Sequence, residues 1–223
     1  MNLLKRAFLL GAVAAVLPTA QAAPVKRAAP RTPVRKAPPR RTGAAAPARA
    51  PAPPPLRSPV LLTVSGAIKK SNRGPLDKAI DQMAAKHGLA WEQAYTFDAA
   101  ALANLPAETI HPTLEYDGKP HTLAGPPLEM VLATLGITPG QPGVMLALRA
   151  VDGYRMELSL ADVRAWKMIL ANRIDGQSMA IGGLGPLWAV YDADRLPGIQ
   201  DLPLAERFQR CPWGLYHIEV IQT

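Results

Sequence analysis

The sequence contains a single cysteine, Cys211, among its 223 residues. One cysteine excludes an intramolecular disulfide, and it excludes metal sites that are built from several thiolates. An unpaired cysteine is more often a small buried hydrophobe than a reactive thiol. We therefore expect Cys211 to pack inside the fold.

Acidic residues are absent from the first 58 residues, which carry eleven Lys and Arg. Residues 59–223 hold the other 14 Lys and Arg together with all 17 Asp and Glu, so their formal charge is −3. The net charge of +8 thus belongs to the N-terminal segment. This distribution excludes a basic, nucleic-acid-binding folded domain, and we expect no nucleic-acid partner. Residues 59–223 are numerous enough to bury one sizeable core.

Motifs that mark common catalytic sites are also missing. There is no G-x-S-x-G nucleophile elbow, and no two of the four histidines have close metal-ligand spacing. His111 and His121 flank a predicted hairpin, where cross-strand neighbours commonly approach each other without binding a metal. The glycine-rich residues 181–186 lack the Lys-Ser/Thr of a phosphate-binding P-loop. A strand rather than a helix follows them, which also excludes a dinucleotide fingerprint.

Residues 1–23 have the organisation of a signal peptide. Lys5 and Arg6 form the charged start, and residues 7–17 form an apolar run that is too short to span a bilayer comfortably. Ala20-Gln21-Ala22 supplies the small residues of a cleavage site, so we expect cleavage near Ala22 or Ala23 and a periplasmic or secreted protein. Lys5-Arg6 also resembles a twin-arginine signal with Lys in the first position, and general secretion is the default route.

Residues 24–58 predict a disordered linker. They hold ten prolines, nine cations and no acid, a composition that cannot form a core. Proline and like charges both favour an extended chain. The linker is either a plain spacer or an electrostatic contact to an anionic membrane or cell-wall surface. A membrane-bound or periplasmic protein is the partner that we expect.

The remaining residues, 59–223, predict one α+β domain. Alternating apolar residues and turn signals predict hairpins at Asp117-Gly118 and Asp152-Gly153, and buried strands over residues 187–191 and 213–221. Periodicity predicts a helix from Gly74-Pro75 to Gly88, with Leu76, Ile80, Met83 and Ala84 toward the core. Asp98 and Ser159 have the positions of helix N-caps. Several hairpins with interspersed short helices are typical of the α+β class.

The order of these motifs resembles the oxidoreductase molybdopterin-binding domain, the sulfite-oxidase-like family, over nearly all of residues 59–223. The resemblance implies an α+β fold with a mixed, strongly bent β-sheet, short helices and a molybdopterin cofactor. It rests on six segments in sequence order: Ala124-Gly125-Pro126-Pro127-Leu128, the helix end Leu135-Gly136, Ala150-Val151-Asp152-Gly153-Tyr154, the predicted turn Asp175-Gly176, Gly182-Gly183-Leu184-Gly185-Pro186-Leu187 and Trp213-Gly214-Leu215-Tyr216-His217-Ile218.

The chain departs from this family at the metal ligand. In catalytic members a cysteine thiolate binds molybdenum ahead of the segment that corresponds to Gly125-Pro126, where residues 110–116 contain no cysteine. Leu187-Trp188 also stands where catalytic members tend to carry Arg. Imidazole or hydroxyl groups do not replace a soft thiolate. The resemblance therefore implies a non-catalytic binding or sensory module, and the alternative is a molybdopterin-dependent oxidoreductase with an atypical metal site.

A ligand pocket is expected between residues 182–188 and the hairpin around His111. Arginine near a strand end can bind an anionic group through its bidentate fork, which makes Arg155 and Arg173 candidates. The predicted pocket lining is His111, Tyr154, Arg155, Arg173, Gly183, Gly185 and Trp188. We predict no catalytic and no metal-ligating residue. Molybdopterin is the cofactor that the resemblance implies, and the residues by themselves predict none.

Overall fold

The structure is a computed structural model, and it describes residues 58–223. The described strands are β1 (Val60–Gly66), β2 (Ala94–Asp98), β3 (Glu108–Ile110), β4 (Leu123–Gly125), β5 (Val144–Ala150), β6 (Arg155–Ser159), β7 (Ile169–Ala171), β8 (Arg173–Ile174), β9 (Gln177–Ser178), β10 (Trp188–Val190) and β11 (Leu215–Gln222). The helices are α1 (Gln82–Lys86), α2 (Ala99–Ala103), α3 (Leu128–Ala133) and α4 (Leu160–Ala165), with 3₁₀ turns at Ala193–Arg195 and Leu204–Glu206. Short helices beside mixed sheets confirm the predicted α+β class.

The predicted signal peptide and all of the predicted linker except Ser58 lie outside the described residues. Between Ser58 and Thr223, no helix is long and apolar enough to cross a bilayer.

The main sheet has five strands in the order β2-β1-β11-β5-β6. β1 and β11 run parallel, and the other neighbouring pairs are antiparallel. Because side chains alternate across a strand, one face of this sheet is apolar and packs into the main core. Leu62, Leu146, Leu148 and Ile218 on that face are fully buried.

The opposite face of the main sheet carries buried polar groups. Ser65 on β1 and His217 on β11 are both 1% exposed, and the Ser65 hydroxyl lies 2.9 Å from Nε2 of His217. The Trp91 ring stacks on the His217 ring with centroids 5.3 Å apart. Nδ1 of His217 is buried without a hydrogen-bond partner, so no carboxylate completes a Ser-His-acid triad here.

Two smaller sheets complete the β structure, with orders β3-β4-β8-β9 and β10-β7. Asp175 and Gly176 connect β8 to β9 and both have positive φ, 49° and 78°, as a type I′ turn requires. Gly125 allows β4 to approach β7 closely, because a Cβ there would lie 2.0 Å from the Leu170 carbonyl oxygen. The turn that the sequence predicts at Asp175-Gly176 is confirmed.

Predictions from local turn and capping signals are confirmed. Asp152-Gly153 joins β5 to β6, and the buried strand predicted over residues 187–191 is β10. Asp98 accepts a hydrogen bond from the Ala101 N–H at 2.7 Å, and Ser159 accepts one from the Asp162 N–H at 3.0 Å. Each of these signals acts over a few residues, so it does not depend on tertiary contacts with the rest of the chain.

The predicted helix from Gly74 to Gly88 is wrong over its first half. Only Gln82–Lys86 is helical, and the side chain of Ile80 is 78% exposed. Asp81 explains the late start, because its carboxylate bonds to the Asp77 N–H and to Arg73 and holds the preceding residues in turns. Of the four residues predicted to face the core, Ile80 and Met83 are exposed, whereas Ala84 packs beside Trp91 and Ala94 and Leu76 contacts that cluster.

The hairpin predicted at Asp117-Gly118 is paired at its base by two short strands and again near its tip, where the Leu114 N–H donates to the Lys119 carbonyl oxygen at 2.9 Å. β3 pairs with β4 through Thr109 and Ala124, and residues 111–122 form a long loop. Inside the loop a single bridge joins Thr113 to Pro120. The loop therefore projects Glu115 and Tyr116 away from the sheet toward the cleft described next.

Candidate functional site

A cleft of about 580 Å³ opens between three parts of the chain. One wall is the β5–β6 hairpin, the second is the loop around Tyr116, and the third is the segment over residues 205–213. Its lining residues are Glu115, Tyr116, Ala150, Asp152, Tyr154, Met156, Ala205, Phe208, Gln209, Arg210, Cys211, Pro212 and Trp213. The volume lies in the range of ordinary small-molecule sites.

Exposed aromatic rings are concentrated in this cleft. Tyr116, Tyr154 and Trp213 are 55%, 44% and 38% exposed, and all three line the cleft. Across residues 58–223, no other Phe, Tyr or Trp side chain is exposed to this degree. Exposed aromatic side chains that cluster in a concavity are a feature of binding sites, since a ligand can bury their apolar surface.

Hydrogen bonds fix the walls of the cleft relative to each other. The Tyr154 hydroxyl donates to the Gln209 carbonyl oxygen at 2.7 Å and joins the hairpin to the third wall. Beneath that wall, the indole N–H of the fully buried Trp188 donates to the Cys211 carbonyl oxygen at 2.8 Å. Phe208 packs against the Trp188 ring with centroids 5.7 Å apart. The Tyr154 ring is therefore anchored to the third wall, and that wall rests on the buried Trp188.

The charged groups of the cleft are two carboxylates and one guanidinium. Asp152 accepts a hydrogen bond from the Tyr154 N–H at 2.8 Å, and Glu115 is half-buried in the loop wall. The guanidinium carbon of Arg210 lies 5.3 Å from the centroid of the Trp166 ring. Trp166 lines a neighbouring cavity and not this cleft, so Arg210 directs its charge away from the two carboxylates.

Cys211 is buried at the base of the cleft, as its single occurrence predicts. Burial raises the pKa of its thiol to about 12, and the carboxylate of Glu115 acts in the same direction. At neutral pH the sulfur is a protonated thiol, which is neither a nucleophile nor a good metal ligand.

Residues 58–223 do not fit the thiolate-bound molybdenum that the resemblance implies. The single sulfur that could act as ligand is the buried Cys211 thiol, and it lies far along the chain from residues 110–116. In the same part of the chain, no three His, Cys, Asp or Glu side chains gather as a metal-binding group. The donor set therefore supplies no soft anionic ligand for this metal.

Of the seven residues predicted to line a pocket, Tyr154 lies in the cleft. Trp188 is fully buried beneath it, and a Cβ on Gly185 would lie 2.4 Å from the Met179 carbonyl oxygen, so that glycine serves close packing. Gly183 lies in an exposed loop. The binding roles of these residues stay predictions.

The two predicted anion-binding arginines lie on different sheets. Arg155 on β6 forms an ion pair with Glu157, and Arg173 lies on β8 of the four-stranded sheet. His111 is exposed, and its Nδ1 lies 3.3 Å from the Thr122 hydroxyl. Within residues 58–223, no hydrogen bond or ion pair joins these three residues to one another.

His121 lies between two carboxylates on the first hairpin. Its ring nitrogens are 2.7 Å from Asp175 and 3.1 Å from Asp117. These hydrogen bonds, that to Asp175 first, raise the pKa of His121. The group joins the hairpin to the β8–β9 turn, so it has a structural role at the edge of the sheet.

Sequence reasoning missed most of the cleft. The sequence places Trp213 and Tyr116 in predicted strands without indicating a binding role, and it indicates no partner for Glu115. The one signal that could have marked the site is the scarcity of aromatics, which form 5% of the chain. Burial decides which of them face water, and burial is a property of the folded chain.

No family model and no curated protein matches the sequence. Among solved structures, the described fold is similar to the crystal structure of the sulfane dehydrogenase SoxCD from Paracoccus pantotrophus, with a TM-score of 0.45 and 14% sequence identity. The similarity covers 73% of this chain and 38% of that chain. The chain thus spans well under half the length of the structure that it matches.

Proposed function

We propose that residues 59–223 form a non-catalytic domain of the sulfite-oxidase-like type that binds a small molecule in the cleft around Tyr116, Tyr154 and Trp213. The order of sequence motifs supports the fold assignment. The concentration of exposed aromatic rings in one cleft carries the binding function.

The buried thiol argues against the alternative, a molybdopterin-dependent oxidoreductase with an atypical metal site. A ligand for molybdenum has to be a strong, accessible donor, and Cys211 is a buried neutral thiol. Histidine does not fill the position, since His111 is an exposed residue that contacts Thr122. The lining of the cleft can bind and orient a ligand.

Blocking the cleft tests the binding function without knowledge of the ligand. Ala205 is an exposed cleft-lining residue, so Ala205→Trp fills the cleft without disturbing the core. We expect a panel of cationic, neutral and anionic metabolites to yield at least one compound that raises the melting temperature of the parent protein. That rise should disappear in Ala205→Trp.

The matched control is Ala103→Trp, which adds the same ring to an exposed position of α2 outside the cleft lining. It should keep the response of the parent protein to every active compound. If Ala205→Trp responds as the parent does, or if no compound acts on the parent, the cleft is not the binding site of this domain.

The N-terminal segments complete the proposal. We propose that residues 1–23 direct export to the periplasm or the outside of the cell, and that the basic linker lets the domain work near an anionic membrane or cell-wall surface. The charge distribution supports this placement, because Lys and Arg outnumber Asp and Glu only in the segment before residue 59. Cell fractionation checks the proposed export. We expect the parent protein in the exported fraction and a variant without residues 1–23 inside the cell.

A further inference from the structure

We infer that the ligand of this cleft is an organic cation, with a quaternary ammonium or protonated amine group seated among the rings of Tyr116, Tyr154 and Trp213 beside Glu115. This inference rests on the proposed binding function and adds the chemical class of the ligand. The family resemblance implies an anionic pterin as the ligand. The carboxylates and aromatic rings that line this cleft favour a cation instead.

The charge of the lining favours a cation. Glu115 and Asp152 place two carboxylates in the cleft, and the guanidinium of Arg210 faces the Trp166 ring in the neighbouring cavity. Arg207 is not available as a counter-charge, because it pairs with Asp194 at 2.8 Å and its Nε donates to the Leu202 carbonyl oxygen. An anionic ligand would have to enter beside two carboxylates, and the one cation of the cleft lining, Arg210, is stacked over the Trp166 ring.

The aromatic rings supply the second half of the argument. The faces of Trp and Tyr rings carry negative electrostatic potential and attract cations, and cages of such rings recognise quaternary ammonium groups. Tyr116, Tyr154 and Trp213 each lie on a different wall of the cleft. The bond from the Tyr154 hydroxyl to Gln209 holds its ring in place, so less entropy is lost when a ligand binds.

Apart from the guanidinium of Arg210, the titratable groups of the cleft add no positive charge to its two carboxylates. Burial first and the Glu115 carboxylate second raise the pKa of Tyr116 to about 12, which shows that the phenol lies in the field of that carboxylate. The Cys211 thiol is neutral for the same two reasons. The cleft therefore stays net negative over the whole neutral range.

A pair of matched ligands tests the inference. Choline and 3,3-dimethyl-1-butanol have nearly the same shape, and only choline carries a positive charge. We expect calorimetry on the full chain at physiological ionic strength to show choline binding at least about tenfold more tightly than the uncharged compound. Trp213→Leu should remove most of this preference, since it deletes the best cation–π partner.

Charge is tested separately with Glu115→Gln, which we expect to weaken choline binding about threefold and to leave the uncharged compound unaffected. The matched control is Glu157→Gln, an equally conservative change on the exposed face of β6 outside the cleft. Circular dichroism of each variant verifies that it is folded.

Equal binding of both compounds, binding of neither, or choline binding that ignores Trp213→Leu and Glu115→Gln would each overturn the cationic assignment. The proposed binding function would survive these results if a neutral or anionic compound lost its effect in Ala205→Trp. The two ideas therefore fail in different experiments.

Discussion

The unfolding free energy of the domain is expected to fall by about 3 kcal/mol as the pH is lowered from 7 to 4, because His217 is buried. Burial first and the charge of Arg149 second lower the pKa of His217 from 6.5 to about 4. The unfolded chain therefore takes up a proton near pH 6.5, and the folded chain does so only near pH 4. Each pKa unit is worth about 1.4 kcal/mol, which gives the stated magnitude.

Urea denaturation at several pH values, for the parent and for His217→Gln, measures this effect. Glutamine can still bond to the Ser65 hydroxyl but does not titrate, so its stability should change much less between pH 6.5 and 4. Asp117 and Asp175 do not confuse the comparison, because their lowered pKa values place their effect below pH 4. Parallel curves for both proteins would show that His217 is not a buried neutral base.

The variant His121→Gln tests the second perturbed histidine, because the pKa shift of His121 has the opposite sign to that of His217. The pKa of His121 is raised, so its stabilising contribution is complete below pH 6.5 and is lost as the pH rises through the folded-state pKa. We expect His121→Gln to differ from the parent in slope only above about pH 6.5. The two windows adjoin without overlapping, which allows one series of measurements to assign both.

Gly66→Ala is expected to destabilise the domain by at least about 3 kcal/mol. Gly66 ends β1 opposite Val220 of β11 and has φ of +88°. A Cβ at this position would lie 2.1 Å from the Val220 carbonyl oxygen, which is itself bonded to the Ala67 N–H. The change combines backbone strain of about 1 kcal/mol with a backbone collision that forces β1 away from β11.

Gly118→Ala isolates the first of these terms. Gly118 also has positive φ, +67°, and no atom lies within 4 Å of the position that a Cβ would occupy. It should cost about 1 kcal/mol in the same denaturation assay. Similar losses for Gly66→Ala and Gly118→Ala would contradict the close parallel pairing of β1 with β11.

Local signals in the sequence predicted much of the fold and little of the site. Asp152-Gly153, Asp175-Gly176 and Ser159 specify their turns and cap within a few residues, so they could be read without the rest of the chain. Ile80 misled the helix prediction because periodicity records spacing and not contact, and Asp81 holds the preceding residues in turns.

The cleft could not be predicted for a different reason. Tyr116, Tyr154 and Trp213 are far apart in sequence, and they meet only because the long β3–β4 loop and the segment before β11 close over the β5–β6 hairpin. Trp188 illustrates the limit, since the sequence does not show that its indole N–H donates to the Cys211 carbonyl oxygen beneath the cleft. Because these residues are far apart in sequence and belong to no common motif, the sequence alone does not indicate that they form one site.

The central claim is that this domain binds its ligand without thiolate-bound molybdenum. Its most direct test is the molybdenum and pterin content of the protein expressed in, and purified from, a host that makes the cofactor. An active molybdenum enzyme prepared from the same cells serves as the positive control. We predict far less than one molybdenum per chain and no pterin fluorescence after oxidation, whereas one molybdenum and one pterin per chain would contradict the claim.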